Sequence, residues 1–236
     1  AVVAQVLKQD ADEVEERLEK LERVFAFVKL VSEAEFPNRT LTLKYRFVHV
    51  LYQNALYASL RVTRKATLSR EVAQTLEGFC GEQRTNVANA LAALYEVGRE
   101  YARAADYYRL AAEHATQVFA WQEAVVLARR GLGLLSSEPD TTARTRQELA
   151  LQVTLSVPLG ACRGLASEES RELFTRAREL AQQLGDPPEL WTIMVGQWRS
   201  YLVGGDNNMA LKLAEEFLPL VRAKVPAAMI WAHQMM

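Results

Sequence analysis

Histidine and cysteine are the side chains that most often ligate metals or attack substrates, and here they are few and scattered. The three histidines, His49, His114 and His233, have no mutual spacing that suits a metal. Cys80 and Cys162 form no CxxC pair and no Cys/His cluster, and neither has a context that suggests a nucleophile. No GxxxxGK[ST] phosphate loop is present, and no glycine-rich cradle follows a strand. Carboxylates are abundant, but they lie on charged helical faces and not in a paired acid/base arrangement. These residues imply no catalytic centre, no metal site and no cofactor in this chain, so the expectation is a protein that is not itself an enzyme.

Composition narrows the partners. Lys and Arg total 28 against 29 Asp and Glu, a net charge of −1, whereas a dedicated nucleic-acid binder carries a basic excess. Half of the 236 residues are hydrophobic, enough for a real core, yet no apolar run is long enough to cross a bilayer. Two isolated cysteines fit a reducing cytoplasm. The chain opens Ala1-Val2-Val3 without an initiator Met and stops inside a helical pattern at Met235-Met236, so a longer parent is expected.

Residues 1–66 read as a small mixed unit. Asp10 and Glu13 have capping-box spacing ahead of Val14, Leu18, Leu21 and Phe25, an amphipathic helix. An extended stretch, Phe27 to Val31, leads to turn chemistry at Glu35-Phe36-Pro37-Asn38-Arg39. Leu41, Leu43, Tyr45 and Phe47 then alternate with Thr42, Lys44 and Arg46, the period of a half-buried strand. A helix follows from about His49 to Leu60. Helix, helix, strand, turn and strand in this order make the layout of a winged helix whose first helix is truncated or missing. A DNA-reading role conflicts with its would-be recognition helix, where Asp12, Glu13, Glu15, Glu16, Glu19 and Glu22 face Arg17, Lys20 and Arg23. Arg61, Arg64, Lys65 and Arg70 form a local basic cluster, read as a solvated helix face.

From 67 to 236 every segment has helical period. Leu68, Val72, Leu76 and Phe79 mark one helix, and Gly98 is expected to supply the left-handed residue that stops the next. Further helices are expected near 118–135, 142–157, 167–184, 188–203 and 207–223. Pro158, with Gly160 and Gly164, should close one of them and Pro219 should kink or end another; Asp186-Pro187-Pro188-Glu189 should open a third with a cap and first-turn prolines. Leu91, Ala92, Tyr95, Ala104, Tyr108 and Ala111 fall at the spacing of a tetratricopeptide repeat, in which small residues let two helices approach. Ala124 with Ala128, Phe174 with Ala177, and Ala210 with Ala214 and Phe217 are partial matches at uneven intervals. Trp191, Met194, Trp198 and Tyr201 form an aromatic stripe at helical spacing, expected in the core unless a truncated solenoid leaves it partly exposed. Hairpins of this kind must stack to bury their apolar faces, and the concave side is a surface for protein or peptide. Asn86, Asn89, Ala93 and Glu96 would line it in the best repeat, unless they are simply solvated.

The run Tyr45-Arg46-Phe47-Val48-His49-Val50-Leu51-Tyr52-Gln53, with Leu56-Tyr57 and Leu60, resembles the winged-helix end of bacterial STAND-type signalling ATPases. Arg64, Leu68, Val72, Ala73 and Leu76-Glu77 extend the likeness, as do Glu100 to Ala112, Arg129-Arg130-Gly131-Leu132, Arg176 to Leu180 and Trp198 to Gly204. Members are often joined to nucleotide cyclase, protein kinase or DNA-binding domains and followed by tetratricopeptide repeats. The resemblance implies a nucleotide-binding core upstream, since these residues contain no phosphate loop. It also implies that His49 senses nucleotide phosphates in the intact parent, through a hydrogen bond that an imidazole can donate.

The sequence thus predicts a mainly α chain: a partial winged helix with a β-hairpin over 1–66, then a tetratricopeptide-like α-solenoid over 67–236. The expected function is a non-catalytic docking or sensing region of a larger, cytoplasmic signalling ATPase. Its partners would be a protein or peptide and the upstream ATPase domain, with no nucleic acid and no membrane. Self-association through the last helices is open. The alternatives are the regulatory arm of a cyclase or kinase, and a DNA-binding regulator.

Overall fold

The structure is a computed structural model that describes residues 1–185 and 187–224, the last eight by backbone alone. The expectations for Asp186 and His233 and for the side chain of Phe217 lie outside the described residues. Helices account for 73% of the chain. In order, the elements are α1 (Val2–Leu7), α2 (Ala11–Arg23), β1 (Val28–Glu35), β2 (Leu41–Phe47), α3 (Val50–Ser59), α4 (Val62–Cys80), a 3-10 turn at Thr85–Val87, α5 (Ala88–Val97) and α6 (Tyr101–Gln117). After them come α7 (Trp121–Leu135), α8 (Thr142–Arg163), α9 (Glu168–Gln183), α10 (Glu189–Val203) and α11 (Asn207–Lys224). The chain forms two compact units, Ala1–Tyr107 and from Tyr108 onward, so the division falls inside α6, whereas the sequence reading divides at 66/67.

In the first unit α2 starts where Asp10 accepts a hydrogen bond from the Asp12 N–H at 2.9 Å. The hairpin is antiparallel, with Val28 opposite Phe47 and Glu35 opposite Leu41, and Val31 bulges between Leu30 and Ser32. Its turn closes through the Phe36 N–H to the Thr40 carbonyl, and Arg39 takes the left-handed conformation at φ 70°. Phe36 stacks on Phe79 of α4 at 4.9 Å, which ties the hairpin tip to the helices. On the β1 edge, the Leu30 N–H donates to Glu22 of α2 at 2.9 Å. Helix α4 packs against both α1 and α5.

In the second unit each helix packs on the next, α7 on α8, α8 on α9, α9 on α10 and α10 on α11. The positions singled out by spacing are buried throughout the chain: Leu91, Ala92, Tyr95 and Ala104 in the first unit; Tyr108, Ala111, Ala124, Ala128, Phe174, Ala177, Ala210 and Ala214 in the second. Alanine at a contact leaves room for a backbone to come close, and Gly196 goes further by leaving a notch that Phe174 fills.

Several helix ends differ from expectation. Gly98 is right-handed at φ −68°, and the left-handed residue is Arg99 at φ 60°. Gly98 is needed for a different reason: a Cβ there would lie 2.6 Å from Cγ of Arg70 on α4. The Glu100 N–H then closes on the Tyr95 carbonyl at 2.9 Å. The same closure recurs at Phe119 and at Gly205, where the Ala120 and Asp206 amides bond back to Ala115 and Tyr201. Pro158 does not close α8, which runs on to Arg163 and ends at Gly164 with φ 90°. The proline removes one hydrogen bond, but Leu149, Leu151, Leu155, Leu159 and Pro158 itself are buried, and that burial outweighs a penalty of about 3 kcal/mol. Likewise α11 continues through position 219 to Lys224. Pro187 and Pro188 precede α10 instead of occupying its first turn. On α10 the buried stripe is Ile193, Met194, Gln197 and Ser200, while Trp191, Trp198 and Tyr201 are half-buried.

Candidate functional site

His49 stands between β2 and α3 with extended backbone, φ −131° and ψ 136°, and caps α3: its Nδ1 accepts the Leu51 N–H at 3.2 Å. The exposed ring meets Tyr52 edge-on at 6.2 Å. A capping Nδ1 holds the proton of the neutral ring on Nε2, the nitrogen with which it would donate to a phosphate oxygen. Local folding therefore already gives His49 a structural task.

The four surface candidates share one face by spacing, but their surroundings differ. Asn86 and Asn89 are exposed, and Ala93 and Glu96 half-buried. Asn86 lines a groove, of about 610 Å³, between the hairpin residues Phe36, Pro37, Arg39 and Lys44 and the α4–α5 connection at Cys80 and Gln83. Beside that groove the Cys80 thiol is buried, and desolvation raises its pKa.

A polar cluster that the sequence reading missed clamps three helices together in the first unit. Glu77 of α4 accepts hydrogen bonds from Tyr95 of α5, at 2.5 Å, and from Tyr107 of α6. The two phenol rings stack at 5.7 Å with 9° between planes, and Arg103 lies over Tyr95 at 5.2 Å. Burial and then the hydrogen bond to Glu77 push the Tyr107 phenol up to about 12, and the same causes raise Tyr95 further. Both tyrosines stay protonated as donors, which suits a clamp and not an acid/base pair. Only tertiary contact joins residues 18 and 30 positions from Glu77.

In the second unit charged grooves flank α9. One, of about 400 Å³, is lined by Glu168, Arg171, Glu172, Thr175, Arg176 and Glu179 of α9 with Tyr201 of α10. The other, of about 380 Å³, runs over α8 from Arg129 and Leu132 of α7 to Glu169, Glu172 and Arg176. Glu172 and Arg176 line both. Arg129 pairs with Glu169 at 3.0 Å, and Arg176 with Glu148 at 2.8 Å and Glu179 at 3.4 Å. Arg171 is held differently. Its guanidinium lies 5.5 Å above the Tyr201 ring and against Gly204, and its buried Nε has no acceptor among the described residues. The spacing of Glu168, Glu172, Thr175, Arg176 and Glu179 along one helix was the available signal, but solvated charge stripes look the same in sequence.

Among the described residues no group of three or more His, Cys, Asp or Glu side chains is arranged to hold a metal ion. No described helix is long and apolar enough to cross a membrane. No family model matches the chain, and neither a curated protein nor a solved structure matches it.

Proposed function

We propose that this chain is a non-catalytic protein-docking region: a degenerate tetratricopeptide-like solenoid, preceded by a winged-helix remnant, that serves as the regulatory arm of a larger cytoplasmic signalling ATPase. The observation that carries the docking role is the pair of charged grooves along α9, which share Glu172 and Arg176, the first of them also lined by Arg171. Fixed charges along a groove between helices recognise an extended peptide through complementary side chains. A stacked Arg presents a preorganised fork to a carboxylate. The ATPase assignment rests on the resemblance around Tyr45 to Gln53.

The docking role is tested by selecting peptides from a random display library on the full chain. The expected result is that selected peptides slow amide exchange along α9 and that Arg171→Glu weakens their binding at least tenfold. Selected peptides that protect only the first unit, or that bind the Arg171→Glu chain unchanged, would refute it. The ATPase assignment is tested in the intact parent, where His49→Ala should weaken ADP retention; unchanged ADP affinity removes that role for His49.

A further inference from the structure

Helix α3 has no buried residue. Val50, Leu51, Tyr52, Leu56 and Tyr57 are exposed by 42–63%, and at 100° per residue they point to three sides of the helix. A helix that is apolar all round belongs inside a protein, and one of ten residues does not hold itself together in water. With the adjoining Val24, Phe25 and Val48 it leaves on the order of 800 Å² open, the area one partner contributes to a standard interface. A flat surface covers one side of such a helix. A cleft covers more.

The first unit also holds a cleft of that kind. About 700 Å³ in volume, it is bounded by α1, α2 and the hairpin, with Val2, Val14, Leu18, Leu41 and Leu43 among its walls. Glu15 and Glu33 stand at it, as do Lys44 and the Ala1 ammonium, which is bonded to Thr42. Burial first, and then Glu15, Glu22 and Glu19 against the opposing Arg23, raise the phenol of Tyr45, another wall residue, so the acidic side of α2 lies along the cleft. Helix α3 itself is uncharged, and the segment that follows it is basic. From Val48 to Arg70 there are four Lys and Arg and no Asp or Glu, with Arg61, Arg64 and Lys65 directly after α3. A helix cannot fill the cleft of its own chain. Two residues, Val48 and His49, separate β2 from α3, a reach of roughly 7 Å, and Tyr52 is held on Phe27 at 5.0 Å.

We propose that two copies of this chain associate by reciprocal insertion, the α3 helix of each entering the apolar cleft between α2 and the hairpin of the other. The exchange is isologous, so it closes into a dimer and leaves neither α3 uncovered. The acidic side of α2 in one copy then faces Arg61, Arg64 and Lys65 of the other, which sets the register.

Sedimentation velocity of the full chain from 1 to 100 μM tests this. The wild type is expected to shift with concentration toward twice the 26.6 kDa of one chain. Leu51→Asp with Leu56→Asp, both at exposed positions, should stay monomeric with an unchanged circular dichroism spectrum. A cleft reversal, Glu15→Lys with Glu33→Lys, and a helix-side reversal, Arg61→Glu with Arg64→Glu and Lys65→Glu, should each weaken association at least tenfold. Mixed together, the two reversed chains should dimerise, because both contacts of the mixed pair are again complementary. A wild type that stays monomeric at 100 μM overturns the proposal, since some other surface then covers α3. Association that survives Leu51→Asp with Leu56→Asp, or a mixture that does not recover it, overturns it equally.

Discussion

Two glycines in the second unit make the packing of its helices measurable. Gly133 in α7 has nothing within 4 Å of the position a Cβ would take, whereas a Cβ at Gly196 in α10 would lie 2.5 Å from Cζ of Phe174 and closer still to Cε1. Carbon atoms settle at about 3.5–4.0 Å, so the Phe174 ring would have to retreat by about 1 Å or more. It is 5% exposed, and a void beside it of about 10 Å³ is no larger than one water needs, about 10–15 Å³. Replacing glycine by alanine inside a helix stabilises by about 0.5–1 kcal/mol in both cases. At Gly196 overpacking opposes this with about 1–3 kcal/mol. At 2–4 °C per kcal/mol for a chain of roughly this size, Gly133→Ala should raise Tm by about 1–4 °C, and Gly196→Ala should bring it below wild type. Thermal melts by far-ultraviolet circular dichroism read both. Adding Phe174→Leu to Gly196→Ala should recover part of the loss. Equal shifts for the two alanines would falsify the seating of α9 on α10 described here.

Three further outcomes follow from the first unit. Ala104 is fully buried, so Ala104→Trp should destabilise by at least about 1–3 kcal/mol; a wild-type melting curve would contradict the α6 packing. Arg99 is exposed with φ 60°, and Arg99→Gly should stabilise by about 1 kcal/mol in chemical denaturation, because glycine takes this conformation without strain. Tyr107 keeps its proton in the fold up to about pH 12, while an unfolded tyrosine loses it near 10. Its contribution to stability is therefore complete below about pH 10 and is lost as pH rises toward 12, since the unfolded chain binds fewer protons in that window. Absorbance at 295 nm should show Tyr95 and Tyr107 ionising above the ordinary tyrosine range, and in Glu77→Gln the two should ionise at lower pH.

Much of the local structure follows from neighbours in the chain. The 3.6 period of the apolar residues, the cap at Asp10 and the alternation from Leu41 to Phe47 are short-range signals, and the helices and hairpin form where these predict. The expectations for Pro158 and Gly98 rested on backbone preference alone. Preference amounts to a few kcal/mol at most, and it yields where a helix is covered on both sides or where Arg70 occupies the space a side chain would need.

The sequence alone determined that the chain is mainly helical, that small residues sit where helices touch, and that no phosphate loop or Cys/His cluster appears in it. Only the tertiary structure decided which polar residues meet. It joins Glu77 to Tyr95 and Tyr107, stacks Arg171 on Tyr201, and leaves α3 open beside a chain segment without a single carboxylate. Periodicity states which side of a helix faces inward. It does not state which other helix will be there, because that depends on contacts between residues tens of positions apart, whose burial is shared and is written in no single segment.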